Sequence, residues 1–210
     1  MSASIHNSHF VLRRLHSLFG LLPVGGFLIF HLWENSHARF GPKHYNEAVV
    51  AWLQGLNYLV PAEIFVIALP LLFHAGYGVV VLRSGKGNWG DFPWLRYRFY
   101  WLQRISGVAI LLFLLLHVGG TRIWGLWNPA VRIDLFGHMQ SLLSQPLIFL
   151  IYLGGLLLSV FHLSNGLWSM AIAWGLTTTA QAQRRWAYLC GGLFLLLSAL
   201  GLHGLLGFIL

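Results

Sequence analysis

The sequence predicts an all-α membrane protein, with five transmembrane helices in one bundle and the N-terminus on the cytoplasmic side. Three observations carry this. Of 210 residues, 57% are hydrophobic and only 9% are charged, and the mean hydropathy is +0.69, a balance unlike that of soluble domains. Five apolar runs are long enough to cross a hydrocarbon core of about 30 Å, which takes roughly 20 helical residues. The runs are too long and uniform for barrel strands, and helices satisfy their own backbone hydrogen bonds in lipid.

The first run, Leu15 to Trp33, follows the polar leader "MSASIHNSHF". Its length and histidine-bearing end do not resemble a cleaved signal with a small-residue cleavage site, so it is expected to remain as a span. Arg13 and Arg14 lack the rest of a twin-arginine export signal and read as an interfacial anchor. The other four runs are Val60 to Leu82, Tyr100 to Trp124, Pro146 to Trp174 and Trp186 to Leu210. Together they make one transmembrane domain over residues 1–210. Cys190 is the only cysteine, so neither an intramolecular disulfide nor a thiolate cluster can be built within this chain.

Loop charge sets the expected orientation, because cytoplasmic loops retain Lys and Arg. One side carries Arg13, Arg14, Arg83, Lys86, Arg96, Arg98, Arg104, Arg184 and Arg185 against Asp91 alone. The other carries Arg39, Lys43, Arg122 and Arg132, balanced by Glu34, Glu47, Glu63 and Asp134. The N-terminus is therefore expected in the cytoplasm. A basic chain also suggests nucleic acid, but this charge lies in short juxtamembrane loops, where topology and anionic lipid explain it.

Four histidines interrupt the apolar runs: His31 in "GGFLIFHLW", His74 in "LPLLFHAGYG", His117 in "LLLHVGG" and His162 in "GLLLSVFHLSNG". A buried imidazole without a partner costs a few kcal/mol in hydrocarbon, so each needs an explanation. With the expected orientation, His31 and His117 lie late in outward-running helices and His74 and His162 past the middle of inward-running ones. The two levels are separated by on the order of 10 to 15 Å at about 1.5 Å per residue. Each level then receives two imidazoles from two helices, as bis-imidazole ligation of two stacked haems requires.

Two axial imidazoles leave no open position on iron, which favours electron transfer over catalysis at the metal. No C-x-x-C-H motif is present, so such haems would be b-type. Small residues flank the sites, namely Gly25, Gly26, Gly76, Gly78, Gly107, Gly119, Gly120, Gly154, Gly155 and Gly166. Glycine lets a porphyrin or a helix approach the backbone, though it is also common in ordinary membrane packing. Taken singly, each histidine equally fits a hydrogen-bonding role. His203 has no partner at its depth and reads as structural, and His16 is placed to meet a haem propionate. His6, His9, His37, His44 and His138 carry little signal.

The segments "RRLHSLFG", "PVGGFLIFHL", "EIFVIALPLLFHAGYGV", "LQRISG", "LLHVGGTR" and "FHLSNGLWSMAIAWG" resemble the single-chain, five-helix, two-haem cytochrome b anchor of bacterial succinate dehydrogenases and fumarate reductases. The resemblance runs from about Phe10 to Leu210. It implies that His74 and His162 hold the haem nearer the cytoplasm, usually the one of higher potential, and that His31 and His117 hold the distal haem. It also implies two soluble cytoplasmic partners, a flavoprotein carrying FAD and an iron–sulfur subunit. Electrons would pass through the haems to a quinone near the outer face, expected to be menaquinone, in a complex that is free to assemble into a higher oligomer. Outward electron movement would feel the membrane potential, about 2.3 kcal/mol per charge per 100 mV.

In this scheme Arg14 and Arg104 at the inner boundary and Arg122 at the outer one are candidate propionate partners. Glu63 and Glu47 are candidate proton carriers for the quinone, although Glu63 also reads as a helix N-terminal carboxylate favouring the dipole. Trp33, Trp124 and Trp127 are placed to stack on a quinone, or simply to sit at the interface. Some fumarate-reducing relatives carry a late-helix glutamate that conducts protons. From Met139 to Leu210 this chain has no Asp or Glu, which leans towards succinate oxidation. Two alternatives stay open: the cytochrome b subunit of a hydrogenase or formate dehydrogenase, and a haem-free transporter using histidines as a proton relay.

Overall fold

A computed structural model describes residues 2–84 and 95–210, with side chains from residue 9 onward except that of residue 95. Lys86, Asp91 and the side chain of His6 lie outside the described residues. Among those described there is no strand. Five helices are long and apolar enough to cross a membrane: α1 (His9–Phe40), α2 (Leu59–Arg83), α3 (Arg96–Trp127), α4 (Pro146–Ala173) and α5 (Ala180–Gly207).

Their bounds exceed the apolar runs mainly where polar ends continue the helix. Helix α1 gains residues at both ends. Helix α5 begins six residues earlier than its apolar run, where the Thr179 hydroxyl accepts the Ala182 N–H at 3.1 Å and caps the first turn. Helix α4 stops at Gly175, whose φ of 75° suits glycine. There the Leu176 and Gly175 N–H groups return to the carbonyls of Ala171 (2.9 Å) and Ile172 (3.1 Å), satisfying the helix end.

The helices form two leaves. Helix α2 packs on α1, α3 packs on α4, and α5 backs both leaves through α4 and α1, while α2 and α3 touch only slightly. The contact of α5 with α1 depends on small residues, as expected where lipid removes the hydrophobic drive between helices. A methyl group on Gly204 would stand 2.9 Å from the Asn35 backbone, and one on Gly207 2.6 Å from the Arg39 nitrogen. Gly204→Leu is therefore expected to force α5 off α1 and to destabilise the fold by about 1 to 3 kcal/mol, read as a lower Tm of the detergent-solubilised protein.

Two buried clusters hold this frame. Leu32, Val160 and Leu197 join α1, α4 and α5 at mid-depth. Ala38, Tyr45, Val49, Val50, Phe136, Met139, Leu143, Leu205 and Phe208 close the end opposite the N-terminus. The connections there are clipped by Asp134, whose carboxylate accepts the Gly137 N–H (2.9 Å) and the Asn46 amide (2.7 Å). Those bonds hold the Asp134 carboxyl below its usual range, the Gly137 backbone contributing most. The folded pKa is depressed, so this contribution is complete above the unfolded value near pH 4 and is lost as pH falls through the folded one. Asp134→Ala is expected to cost about 1 kcal/mol, and its Tm deficit against the parent should shrink on acidification.

Three π-helical turns break the regular register, at Gly20–Gly25 in α1, Glu63–Ala68 in α2 and Gly119–Ile123 in α3. The first contains Pro23, which removes a backbone donor. Such turns rotate everything beyond them relative to a straight α-helix. They carry Gly20, Glu63 and Arg122, all of which belong to the sites below.

Candidate functional site

The histidines meet in the pairs expected from depth. His31 of α1 faces His117 of α3 with ring centroids 5.7 Å apart, and His74 of α2 faces His162 of α4 at 6.1 Å. Each pair therefore spans the divide between the two leaves. Metal–imidazole bonds of about 2 Å on opposite sides of one ion place ring centroids on the order of 6 Å apart.

The inner pair is held from behind. The His74 Nδ1–H donates to the His16 carbonyl at 2.8 Å, and the His16 ring stacks on His74 at 4.1 Å, almost parallel. On the other side Ser106 Oγ lies 3.0 Å from His162 Nδ1, and Gln103 donates its amide to the His162 carbonyl at 3.0 Å. Asn165 in turn donates to the Gln103 side-chain oxygen at 2.7 Å. Gly20 abuts the His74 ring, and a methyl on Gly107 would lie 3.1 Å from His162 Cε1. Gly20→Ala is expected to displace the His74 imidazole, visible as loss or broadening of whatever spectroscopic signal that pair carries.

The outer pair is held mainly by rings. His31 stacks on Phe27 at 5.3 Å, His117 stacks on Phe113 at 5.5 Å, and Tyr152 meets His117 edge-on at 5.6 Å. Asn35 donates to the His31 carbonyl at 2.8 Å and accepts from the Tyr45 hydroxyl. His117 Nδ1 is buried without a hydrogen-bond partner.

At the inner boundary the Arg104 guanidinium lies 3.6 Å over the Tyr100 ring, and Arg14 lies between Phe10 and Trp174. Arg14 Nη1 and Arg104 Nε are buried with no hydrogen-bond partner. Arg13 is near enough to repel Arg104, and among the described residues no acid pairs with Arg13, Arg14 or Arg104. At the other boundary Arg122 grips Glu63 with two hydrogen bonds of 2.8 and 2.7 Å. Glu63 lies past the first turn of α2, so the ion pair rather than the helix dipole accounts for it. Arg122 is likewise committed to Glu63. His138 donates to the Gly120 carbonyl (2.9 Å) in the same π-turn. Trp33 and Trp124 are each about half exposed, Trp127 more so, and Glu47 is exposed on the outer connection. His203 is exposed on α5 rather than packed in the bundle.

Several of these residues escape sequence reasoning. Gln103 and Ser106 lie in the noted "LQRISG" stretch three residues apart, one helical face, and that spacing was their available signal. Gly20, Arg13 and the Asn35–Tyr45 contact gave none beyond ordinary residue type. Conversely Gly26, Gly76, Gly119, Gly120 and Gly154 have open space at the Cβ position.

Among the described residues no three or more His, Cys, Asp or Glu gather to hold a bare ion. A porphyrin iron needs only two axial donors, and the donor sets here fit that group. Two imidazole pairs stand at the required separation, and unpaired buried guanidinium nitrogens stand where carboxylates would go.

The family model described as the succinate dehydrogenase/fumarate reductase transmembrane subunit matches residues 92–201. The succinate dehydrogenase cytochrome b558 subunit of Bacillus subtilis (strain 168) is 40% identical over 203 residues, covering 97% of this chain and 98% of that protein. No solved structure gives a significant match.

Proposed function

The chain belongs to the family of succinate dehydrogenase and fumarate reductase transmembrane subunits, and from that premise we propose that His74 and His162 ligate one haem b and His31 and His117 a second, forming a relay to quinone. As the membrane anchor of such an enzyme, it is a multi-pass protein of the cytochrome b type. The observation that supports the ligand scheme is that four helices from two leaves present two imidazole pairs across one divide, at 5.7 and 6.1 Å.

Bound there, two haems supply a one-electron path between the iron–sulfur partner and quinone. The chain's own residues do the rest. His16, Ser106 and Gln103 orient the inner imidazoles, while Phe27, Phe113 and Tyr152 wall the outer ones and exclude water. Arg13, Arg14 and Arg104 are the cations for inner propionates. The orphaned guanidinium nitrogens support that role, and Arg13 joins the residues expected from sequence.

The reading places the N-terminus in the cytoplasm, beneath a flavoprotein that oxidises succinate and an iron–sulfur subunit. It places quinone reduction, with menaquinone as acceptor, at the outer boundary. Glu63, held by Arg122, is the proton carrier in this scheme, and Trp33 and Trp124 border the quinone. Haem extraction and a reduced-minus-oxidised spectrum of the purified complex test the relay. Two b-type haems per chain are expected; one, or none, refutes it.

A further inference from the structure

Ser106 is 1% exposed, deep between α3 and α4, and its hydroxyl has two neighbours: the Gln103 carbonyl at 3.1 Å and His162 Nδ1 at 3.0 Å. A hydroxyl has one proton to give, and a carbonyl only accepts. With the Ser106 proton on the Gln103 carbonyl, the oxygen offers a lone pair to His162, and Nδ1 must carry the ring proton. Nε2 is then left with its lone pair. His74 reaches the same state by another route, because its Nδ1 lies 2.8 Å from the His16 carbonyl, which can only accept. Both inner rings are thus fixed in one tautomer by α3 and α1.

The outer rings lack this support. His117 Nδ1 has no partner, and the His31 ring nitrogens meet only the Asn35 amide at 3.3 and 3.4 Å. A ligating imidazole whose second N–H donates to an acceptor is the more basic ligand and stabilises the oxidised metal. Gln103 and Asn165 keep Ser106 in place, since Gln103 ties α3 to the His162 carbonyl and Asn165 ties α4 to Gln103 and, at 3.2 Å, to the Phe99 carbonyl.

We propose that Ser106 is a positioning residue that, through the His162 Nδ1–H, fixes the ligating tautomer and lowers the reduction potential of the inner haem alone. This rests on the ligand reading above. Ser106→Ala and Ser106→Thr in the purified complex test it by redox titration and low-temperature EPR, with His162→Ala alongside. Ser106→Ala is expected to keep both haems and raise one potential by up to a tenfold change in the oxidised-to-reduced ratio, about 59 mV. The EPR signal of that haem should shift while the other stays put, and Ser106→Thr, which keeps the hydroxyl, should restore the parent values. Haem loss in Ser106→Ala that Ser106→Thr repairs supports the same role. Unmoved potentials in Ser106→Ala, or a shift that Ser106→Thr shares, overturn it. If His162→Ala loses no haem, the ligand reading itself falls. If it loses one while Ser106→Ala is silent, only the positioning role does.

Discussion

Replacing His117 with alanine is expected to remove one of the two b-type haem signals and leave the other nearly untouched. The imidazole belongs to the pair formed by α1 and α3, whereas the other pair is formed by α2 and α4, and the two share no residue. His117 is also held only by rings, with a buried Nδ1 that bonds nothing, so its removal strands no hydrogen-bond donor or acceptor elsewhere. The void left behind is a local cavity. His74→Ala should do the reverse, silencing the inner signal. In both variants quinone reduction by succinate should fall below about a tenth of the parent rate, since a one-electron relay with a missing member has no parallel route. Succinate oxidation by a soluble dye, which needs only the partner subunits, should persist. Two haems retained in His117→Ala would show that the pairing is structural.

Glu63→Gln is expected to separate quinone chemistry from haem binding. The carboxylate is gripped by Arg122 at 2.7 Å, yet the two side chains remain 31% and 41% exposed, so a small molecule at the boundary can reach them. An ion pair this open contributes roughly 0 to 1 kcal/mol to stability, and its loss should leave the fold and both haem spectra intact. Removing a positioned proton carrier typically costs about 100-fold or more. Quinone reduction should fall on that scale while dye reduction is unchanged. Arg122→Gln, which frees the carboxylate without removing it, should cost less. Equal quinone reduction in Glu63→Gln and the parent would move the proton route elsewhere on the outer face.

Much of this was legible from residue order. The histidine positions 31, 74, 117 and 162 alternate in depth because consecutive helices run in opposite directions, and depth alone sorts them into the pairs that the bundle brings together. Glu63 and Arg122 were each singled out, but nothing in the sequence joined them across 59 positions. Ser106, Gln103 and Gly20 matter only because of what stands opposite them on another helix. The π-turns add to the difficulty, since one extra residue per turn swings Gly20, Glu63 and Arg122 away from the face a regular period assigns.

By itself, then, the sequence determined the number of helices, their expected direction and the level of each imidazole. Lipid imposes a length and a charge asymmetry on every span, and those constraints are one-dimensional. Only the tertiary structure decided which faces meet: the divide between the α1–α2 and α3–α4 leaves, the Ser106 hydroxyl behind His162, and Arg122 closing on Glu63. In a membrane those choices follow from close packing of small residues and from polar side chains finding partners across helices, a matter of rotation about each helix axis that spacing along the chain leaves free.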